Sequence, residues 1–442
     1  MTNRATTERN QSELSFASCQ GLKVTTDFGG GDISPEGGIV LLREVDRKLC
    51  VLDRAAALID DPRQQGKVLH EADSLLKQRV MALAQGYEDL NDHQQLRHDS
   101  LLQLAADKIS PLGSPSTLCR MEHWADKRSA IRLNELLVEL FIESFEDPPE
   151  ELILDFDATD DPTHGRQEGV FFHGYYRHYC FLPLYVFCGS HPLVAWLRPS
   201  NIDGARGCWL ILKMLAKRLR EKWPQVRIVF RGDSGFCRHR MLDWCDNNDI
   251  GYVVGLARNN TVTGQMKFLL DKVEQQHALS GKKQREFTWL YYGASTWKKR
   301  RTVIGKAEHT DQGSNPRYIV TNLRGEARDI YDRIYCARGD MENRIKEQQL
   351  GLFADRTSCT DWWANQHRLL MSTLAYVLVD GLRRLGLGGS EWAKKQATTL
   401  RAGLLKIGAV IIRNTRRIKI MLSGGWPHRA IFYRAHQQLT AR

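Results

Sequence analysis

LILDFDA (residues 152–158) and VRIVFRGD (residues 226–233) are apolar segments of strand composition that each carry an aspartate at or near their end. Further strands are predicted at residues 170–179, 181–188, 192–198 and 251–257, and helices at residues 204–222 and 238–247. Three strands followed by strand, helix and strand are typical of a mixed α/β sheet with helices on its faces. Ligand sites in such sheets lie beyond the carboxyl ends of the strands. We therefore expect Asp157 and Asp233 to converge, although they are 76 positions apart.

The composition is that of an ordinary globular chain. Its 442 residues are 42% hydrophobic and 26% charged, which excludes a disordered or collagen-like chain. The ten cysteines form no CxxC pair, so neither a zinc site nor a secreted disulfide framework is indicated. The N-terminus is polar, and no segment approaches the roughly 18 apolar residues of a membrane span. We therefore expect a cytoplasmic protein without a membrane partner.

The basic excess is concentrated in two regions. The chain has 63 Lys and Arg residues against 52 Asp and Glu, which gives a net charge of +11. Residues 383–442 carry thirteen basic residues against one acid, and residues 260–325 carry twelve against five, interleaved with Trp and Tyr. This distribution favours a polyanionic partner such as nucleic acid.

Residues 40–146 show the pattern of helices separated by turns. Within them, Ser114 and Pro115 are expected to cap the start of a helix. This helix could belong to a helix-turn-helix that presents Arg120 to DNA. An ordinary packing helix fits the same residues equally well.

A third acid must come from an element packed across the edge of the sheet. Glu342 fits because it lies in a predicted helix, where Tyr335, Arg338, Lys346 and Gln349 share its face at spacings of three or four residues. Such a face could offer Glu342 to a metal ion while its cations hold a phosphate backbone. A merely solvated helix face is the alternative.

The carboxylates favour a hard metal ion at this edge. A buried strand that carries Asp155 and Asp157 on one face needs a compensating partner, and a divalent cation is the simplest one. Oxygen ligands without neighbouring Cys or paired His select Mg²⁺, for which Mn²⁺ can substitute. Two such ions roughly 3.5–4 Å apart promote phosphodiester cleavage. We therefore predict phosphoryl transfer on nucleic acid, with Asp157, Asp233 and Glu342 as catalytic metal ligands.

These motifs resemble the DDE transposases of bacterial insertion sequences, in the branch with a Tyr-Arg-Glu-Lys signature and, within it, the IS-thirteen-eighty family. The matching residues are Asp157-Ala158-Thr159 for the first motif, Arg231-Gly232-Asp233-Ser234-Gly235-Phe236 for the second, and Tyr335, Arg338 and Glu342 for the third. The resemblance extends from about Gly21 to Trp426. It departs at Gln349, because the signature has a lysine seven positions after the glutamate, and Lys346 lies one turn earlier.

The resemblance implies an RNase H-like catalytic core with a β-rich insertion, flanked by helical regions. The expected divisions are a flexible segment at 1–39, a helical DNA-end-binding and dimerisation domain at 40–148, the first part of the core at 150–259, the basic β-rich insertion at 260–325, the last part of the core with the catalytic helix at 326–380, and a basic helical C-terminal region at 381–442.

The implied activity is transposition. The enzyme would bind terminal inverted repeats of double-stranded DNA, cleave the element ends by water attack and use the freed 3′-OH to attack target DNA. Tyr335, Arg338 and Lys346 would contact the DNA backbone, with two Mg²⁺ ions as cofactors. Paired cleavage of two ends implies a homodimer on the DNA, associated with the bacterial nucleoid.

Some relatives pass through a DNA hairpin stabilised by an inserted aromatic residue, and Trp297 is the candidate here. It is followed by four cations that could contact DNA: Lys298, Lys299, Arg300 and Arg301. Packing of Trp297 within the insertion's own small core is the alternative.

Two other functions remain open from the sequence. An RNase H-like nuclease would cleave DNA without joining strands, and a non-enzymatic regulator would only bind DNA through the possible helix-turn-helix and the basic tail. RNA binding is disfavoured, because the sequence lacks RRM and KH signatures.

Overall fold

The computed structural model describes residues 13–441. The described chain begins with an exposed hairpin of β1 (Leu14–Cys19) and β2 (Leu22–Thr26), followed by β3 (Ile33–Ser34). The first twelve residues of the segment predicted to be flexible lie outside the described residues. The rest of that segment contains these three strands.

Seven α-helices follow in the described chain. Their bounds are α1 Ile39–Leu49, α2 Val51–Ala56, α3 Ala72–Gln85, α4 His93–Leu96, α5 Ser100–Ala105, α6 Pro115–Glu122 and α7 Lys127–Glu143. Helix α7 begins at a reciprocal cap. The Ser129 N–H donates to Asp126 Oδ1 over 2.7 Å, and the Asp126 N–H donates to Ser129 Oγ over 2.9 Å. Capping fixes the start of α7, and its apolar residues hold it against the strands that follow.

Residues 151–256 supply the centre of the main sheet. The elements are β4 Glu151–Ala158, β5 Asp161–Pro162, β6 Phe171–His173, β7 His178–Phe181, β8 Leu184–Cys188, β9 His191–Trp196, α8 Cys208–Lys222, β10 Arg227–Gly232, α9 His239–Asn247 and β11 Ile250–Leu256. Strands β4, β10 and β11 are parallel neighbours, whereas β8 and β9 continue the sheet antiparallel on the other side of β4. The prediction of a mixed α/β sheet with helices is confirmed.

Residues 170–179 form most of a hairpin and not the single strand expected from the sequence. Between β6 and β7 the backbone of Arg177 adopts a left-handed φ of 60°, which interrupts an extended strand. The two strands join β5 in a separate three-stranded sheet with the order β5-β7-β6. This small sheet follows the carboxyl end of β4 and therefore borders the edge where Asp157 lies.

The insertion at 260–325 begins with helices and then widens the main sheet. Its elements are α10 Asn260–Gln265, α11 Lys267–Ser280, β12 Gln284–Tyr292, β13 Arg301–Thr310, β14 Gly313–Ser314 and β15 Arg317–Thr321. Strand β15 pairs antiparallel with β11, and β13 and β12 follow outward. The described strands of the main sheet run β12-β13-β15-β11-β10-β4-β8-β9, with β14 attached to β13. The insertion covers what would otherwise be an open edge at β11.

The remaining chain is helical with one β-hairpin. Its elements are α12 Ala327–Asp329, α13 Gly339–Lys346, α14 Trp362–Gly381, α15 Ala397–Leu400, β16 Ala409–Arg413, β17 Ile418–Leu422 and α16 Arg429–Thr440. The helical segment from residue 327 to 351 includes π- and 3-10-helical turns around α13. The hairpin differs from the helical C-terminal region expected from the sequence, and β16 pairs with β3 from the opposite end of the chain.

The N-terminal and C-terminal helices share one hydrophobic core. Helix α14 is buried along nearly its whole length and packs against α3 and α7. The Glu122 carboxylate at the end of α6 is buried between Arg79 of α3, at 3.3 Å, and Arg368 of α14, at 2.7 Å. A second core fills the space between the main sheet and α7, α8 and α9. Neither α14 nor another helix within residues 13–441 is long and apolar enough to cross a membrane.

A buried ion pair connects the two strands that carry the aspartates. The parallel register places Arg231 of β10 opposite Asp155 of β4, and the guanidinium donates to both carboxylate oxygens, with Nη2 at 2.6 Å from Oδ2. Its Nη1 also donates to the backbone carbonyl of Ile334, in the segment that leads to Glu342. Both side chains of the pair are almost fully buried. The partner that compensates Asp155 is therefore Arg231, and the divalent cation anticipated from the sequence is not needed there.

Replacing Asp155 with alanine should lower the free energy of unfolding by about 3–5 kcal/mol, because the buried guanidinium of Arg231 loses its carboxylate. Urea unfolding followed by circular dichroism measures the loss. The same two strands supply a control, since Glu151 and Arg227 pair at 3.8 Å with side chains 38% and 71% exposed. Glu151→Ala should cost less than about 1 kcal/mol. Equal losses in the two variants would contradict a structural role for the buried pair.

Candidate active site

The parallel pairing of β4 with β10 brings two aspartates to one edge of the sheet. Phe156 aligns with Gly232, so Asp157 and Asp233 follow on neighbouring strands at the carboxyl ends. Asp233 also caps a 3-10 turn, in which the Gly235 N–H donates to Asp233 Oδ1 over 2.8 Å. The cap orients the Asp233 side chain beside Asp157, where the sequence predicted convergence.

The Asp157 side chain is mostly buried. Burial raises the pKa of Asp157 to about 7; the Arg338 guanidinium lowers it, and the Asp233 and Glu342 carboxylates raise it again. The Ala158 N–H, which donates to Asp157 Oδ1 over 3.0 Å, favours the charged form. The three acids therefore lie close enough to interact as one electrostatic unit.

Arg338 lies between two of these acids. Its Nη1 is 3.8 Å from Asp157 Oδ2, and its Nη2 contacts Glu342 Oε1 one helical turn further on. Burial opposes the charge of Arg338, but the Asp157 and Glu342 carboxylates outweigh it and raise the pKa of this guanidinium. The helical segment thus delivers Glu342 to the edge of the sheet together with its own counter-charge.

The chemistry of the three carboxylates fits a divalent cation, whereas their present spacing does not. Across residues 13–441, no three Asp, Glu, His or Cys side chains lie close enough together to hold a metal ion. The Arg338 guanidinium lies between Asp157 and Glu342 and offsets their charge. All donors are carboxylate oxygens, which suit Mg²⁺ or Mn²⁺. The side chains that could supply these donors are Asp157, Asp233 and Glu342.

Tyr335 packs against the turn that holds Asp233. A Cβ atom built on Gly255 of β11 would lie 2.8 Å from the Tyr335 hydroxyl and 2.7 Å from the backbone nitrogen of Ser234. Burial raises the pKa of Tyr335, Arg338 opposes this, and Asp233 adds to it. Glycine at residue 255 is therefore required for β11, the turn and Tyr335 to come together.

The last two residues of the predicted helical face have different surroundings. Lys346 is exposed at the end of α13. The Gln349 side-chain amide donates to the backbone carbonyl of Asp160 over 3.0 Å. This neutral residue, which stands where the sequence resemblance would place a lysine, ties the helical segment to the loop after β4.

The basic run in the insertion is divided between the interior and the surface. Trp297 is partly buried against the second core, edge-on to Tyr292 at 5.5 Å between ring centroids. Arg301 is buried and donates to Asp243 at 2.6 Å and Asp246 at 2.9 Å. These contacts favour packing of Trp297 inside the protein over its insertion into a DNA hairpin. The other three cations of the run are exposed: Lys298, Lys299 and Arg300.

Arg120 is exposed on α6, which is separate from the elements that carry Asp157, Asp233 and Glu342. Ser114 caps the helix as predicted, because its Oγ accepts the Thr117 N–H over 3.4 Å. Leu118 and Met121 are buried on the other face of the helix. Helix α6 thus packs with one face and presents Arg120 to solvent with another.

Two residues of the site were not identified from the sequence. The parallel register is what places Arg231 opposite Asp155. In the sequence, the signal for this pair was a basic residue within an apolar strand. Gly255 interrupts an otherwise apolar strand, which is typical of a close backbone approach.

Residues 16–442 match the family described as Transposase DDE domain group 1. In structure, the chain is similar to the piggyBac transposase in a synaptic complex with hairpin DNA. The two share 12% sequence identity over 83% of this chain and 80% of that one, with a TM-score of 0.43. No curated protein sequence matches the chain.

Gly255→Ala should destabilise the fold by about 1–3 kcal/mol and loosen the Asp233 turn, because the new methyl group meets backbone atoms that cannot move aside. Hydrogen exchange at the Gly235 amide should accelerate in parallel with the loss of stability. Gly251→Ala on the same strand is the matched control, since its methyl group would meet the side chains of Leu323 and Val229, which can shift. Unchanged exchange at Gly235 in Gly255→Ala would show that the close approach does not hold the turn.

Proposed function

The chain belongs to the DDE transposases of domain group 1, and from this membership we propose that it moves a bacterial insertion sequence. In the proposed reaction the protein binds the terminal inverted repeats and cleaves the DNA at the element ends. It then joins the 3′-OH ends to target DNA by two-metal phosphoryl transfer.

One observation carries the proposal: Arg338 lies between the Asp157 and Glu342 carboxylates at the carboxyl edge of the sheet, where Asp233 follows the neighbouring strand. Asp157 comes from β4, Asp233 from the turn after β10, and Glu342 from α13. Acids that are not needed for folding are costly to bring together, because each disfavours the charge of the others. Their convergence supports a catalytic cation site.

Divalent cations bound by these acids would supply Lewis-acid activation of the attacking oxygen and stabilisation of the leaving oxygen. The side chains do the rest. Arg338 binds the scissile phosphate, and Tyr335 holds the Asp233 turn in place through its packing against β11. Gln349 keeps the loop after Asp157 attached to the helical segment.

Arg338 has two partners in this mechanism. In the free protein it neutralises Asp157 and Glu342, which lets the acids fold into one site without a cation. A DNA phosphodiester offers the same guanidinium two non-bridging oxygens, which can accept a bidentate pair of hydrogen bonds. If Arg338 turned to the phosphate, Asp157 and Glu342 would be free to hold a divalent cation, and the binding of DNA would then promote the binding of metal.

We assign the core to the RNase H-like architecture and the chain to the IS-thirteen-eighty family with its Tyr-Arg-Glu-Lys signature. The support is an antiparallel group of three strands joined to parallel strands, with acids at two neighbouring strand ends and a third acid on a helix. The insertion separates the second acid from the third, as in the family pattern. Gln349 is the departure from that pattern.

Paired cleavage of two transposon ends favours a homodimer assembled on double-stranded DNA, in the bacterial cytoplasm beside the nucleoid. The other candidate functions use fewer of the observed features. A nuclease needs the acids but no strand joining, and a DNA-binding regulator needs no acids at all.

Asp157→Asn and Glu342→Gln should each lower DNA cleavage and strand joining by a factor of about 10³ or more, because each removes a charged ligand from the cation site. DNA carrying matched terminal repeats, mixed with supercoiled target DNA and Mg²⁺, measures both steps. DNA binding by the variants should remain within about threefold of wild type.

The outcomes separate the three functions. Cleavage without joined product from wild-type protein would favour the nuclease. Full function of Asp157→Asn would favour the regulator. Asp161→Asn is a matched control, since Asp161 is a buried acid near the same edge that lies outside the proposed site.

Arg338→Met should bind Mn²⁺ at least about tenfold more tightly than wild type in the absence of DNA, because the carboxylates lose their internal counter-charge. The same variant should lose DNA cleavage, since no guanidinium remains for the phosphate. Isothermal titration calorimetry measures the first effect.

Lys346→Met removes an exposed cation from the same helix and is the control for net charge. Its affinity for Mn²⁺ should stay within about twofold of wild type. Weaker or unchanged Mn²⁺ binding by Arg338→Met would contradict the proposed exchange of Arg338 between the carboxylates and a phosphate. The assignment of Asp157, Asp233 and Glu342 as metal ligands would then depend on the cleavage assay alone.

A further inference from the structure

A basic cleft lies among the N-terminal helices, on elements separate from the candidate active site. Its volume is about 470 Å³, and five basic side chains line it: Arg63, Lys67, His70, Arg97 and Arg120. None of the described residues that line it is acidic. A cleft with this lining concentrates positive potential and attracts an anion.

The acids at the border of the cleft are already paired. Asp61 binds Arg63 at 2.6 Å, and Arg63 also lies over the ring of Trp124 at 4.4 Å, which makes it part of the wall. Glu71 binds Lys108 at 2.8 Å. The charges of Lys67, Arg97 and Arg120 are therefore available to a ligand.

Arg97 shows an unmet capacity to donate. Its Nε is buried and has no hydrogen-bond partner among the described residues. Burial lowers the pKa of the neighbouring His70, and the positive charges of Arg97, Lys108 and Arg63 lower it further. The hydroxyl groups of Ser114 and Thr117 line the same cleft at the start of α6. Guanidinium and hydroxyl donors together are the groups that bind phosphate oxygens.

The cleft adjoins a basic hairpin from the other end of the chain. Arg413 at the end of β16 donates to the Ile109 carbonyl over 2.8 Å, and the Leu112 N–H donates to the Arg97 carbonyl over 2.9 Å. Ile109 and Leu112 are three positions apart, so these two contacts lie within about 11 Å of each other along the chain. The exposed cations around the hairpin turn are Arg413, Arg416, Arg417 and Lys419.

We propose that the cleft and the hairpin turn form one surface that binds the phosphate backbone of duplex DNA away from the scissile position. The proposal rests on the proposed function, which supplies DNA as the polyanion. One strand of duplex DNA presents a phosphate about every 3.4 Å along the axis. The two contacts that join the cleft to the hairpin are at most about 11 Å apart, which corresponds to about three successive phosphates of one strand.

Two triple variants test the surface by its salt dependence. One removes the cleft charges (Lys67→Ala, Arg97→Ala, Arg120→Ala), and the other removes the hairpin charges (Arg416→Ala, Arg417→Ala, Lys419→Ala). Fluorescence anisotropy with a labelled DNA duplex at several salt concentrations gives the slope of log affinity against log salt. Each variant should lose up to about 2.7 from the slope, at about 0.9 per lost contact, and bind at least tenfold more weakly near 0.1 M salt.

The matched control removes three exposed lysines from α8: Lys213, Lys217 and Lys222. It changes the net charge equally and should leave the slope unchanged. Thermal unfolding checks that all three variants are folded. A wild-type slope in both test variants, or an equal loss in the α8 variant, would overturn the proposal.

Inorganic phosphate separates a DNA backbone site from a free-anion site. At constant ionic strength, millimolar phosphate should displace DNA no better than chloride, and selective displacement would overturn the proposal. The Asp157→Asn cleavage assay is run alongside. If cleavage depends on Asp157 while the triple variants bind normally, the surface fails and the transposase function stands. If the slopes fall as expected while cleavage does not depend on Asp157, the surface stands and the catalytic assignment fails.

Discussion

The contact between Arg231 and Asp155 fixes the geometry on which the site depends. A strand pair of apolar residues can slip along itself, and a slip of one residue would turn every side chain to the other face. Here a slip would also leave a buried charge without its partner, at a cost of several kcal/mol. The native register is therefore strongly favoured, and in that register Asp157 and Asp233 follow side by side. Because Arg231 also holds the carbonyl of Ile334, the same side chain positions the helical segment that carries Glu342.

The acids of the candidate site disfavour one another's charge, and Arg338 offsets this repulsion. Three acids beside one another would repel and resist burial, and a site that needed a metal in order to fold would make the protein unstable without it. Arg338 supplies the missing positive charge from within the chain. It is an adjustable partner, since guanidinium binds phosphate as well as carboxylate. Under the proposed function, stability in the free protein and catalysis on DNA would use the same side chain in two positions.

The sequence predicted what depends on local pattern and missed what depends on pairing between distant strands. The acids at strand ends, the mixed sheet and the cap at Ser114 all follow from short-range signals, and the structure has them. The turn at Arg177 and the addition of β15 to β11 involve choices of partner that strand composition does not specify. A count of charges in the sequence likewise does not show which cations pair with acids inside the protein. In the basic tail, Arg383 pairs with Glu347, and Lys406 pairs with Glu36 at 2.6 Å, so part of the charge is used inside the protein.

The sharing of one core by both ends of the chain bears on how DNA is placed for the reaction. The C-terminal region is fixed to the helical segment of the site, because Glu347 accepts from Arg383 and from the backbone of Ala397 only five residues after Glu342. The same region carries the basic hairpin, which contacts the loop beside the N-terminal cleft. These contacts form a continuous packed connection between the basic surface and the acids. If both bind one DNA duplex, the length of this rigid connection sets how far from the bound backbone the strand is cut. Recognition and cleavage would then be related by the distance between the basic surface and the acids.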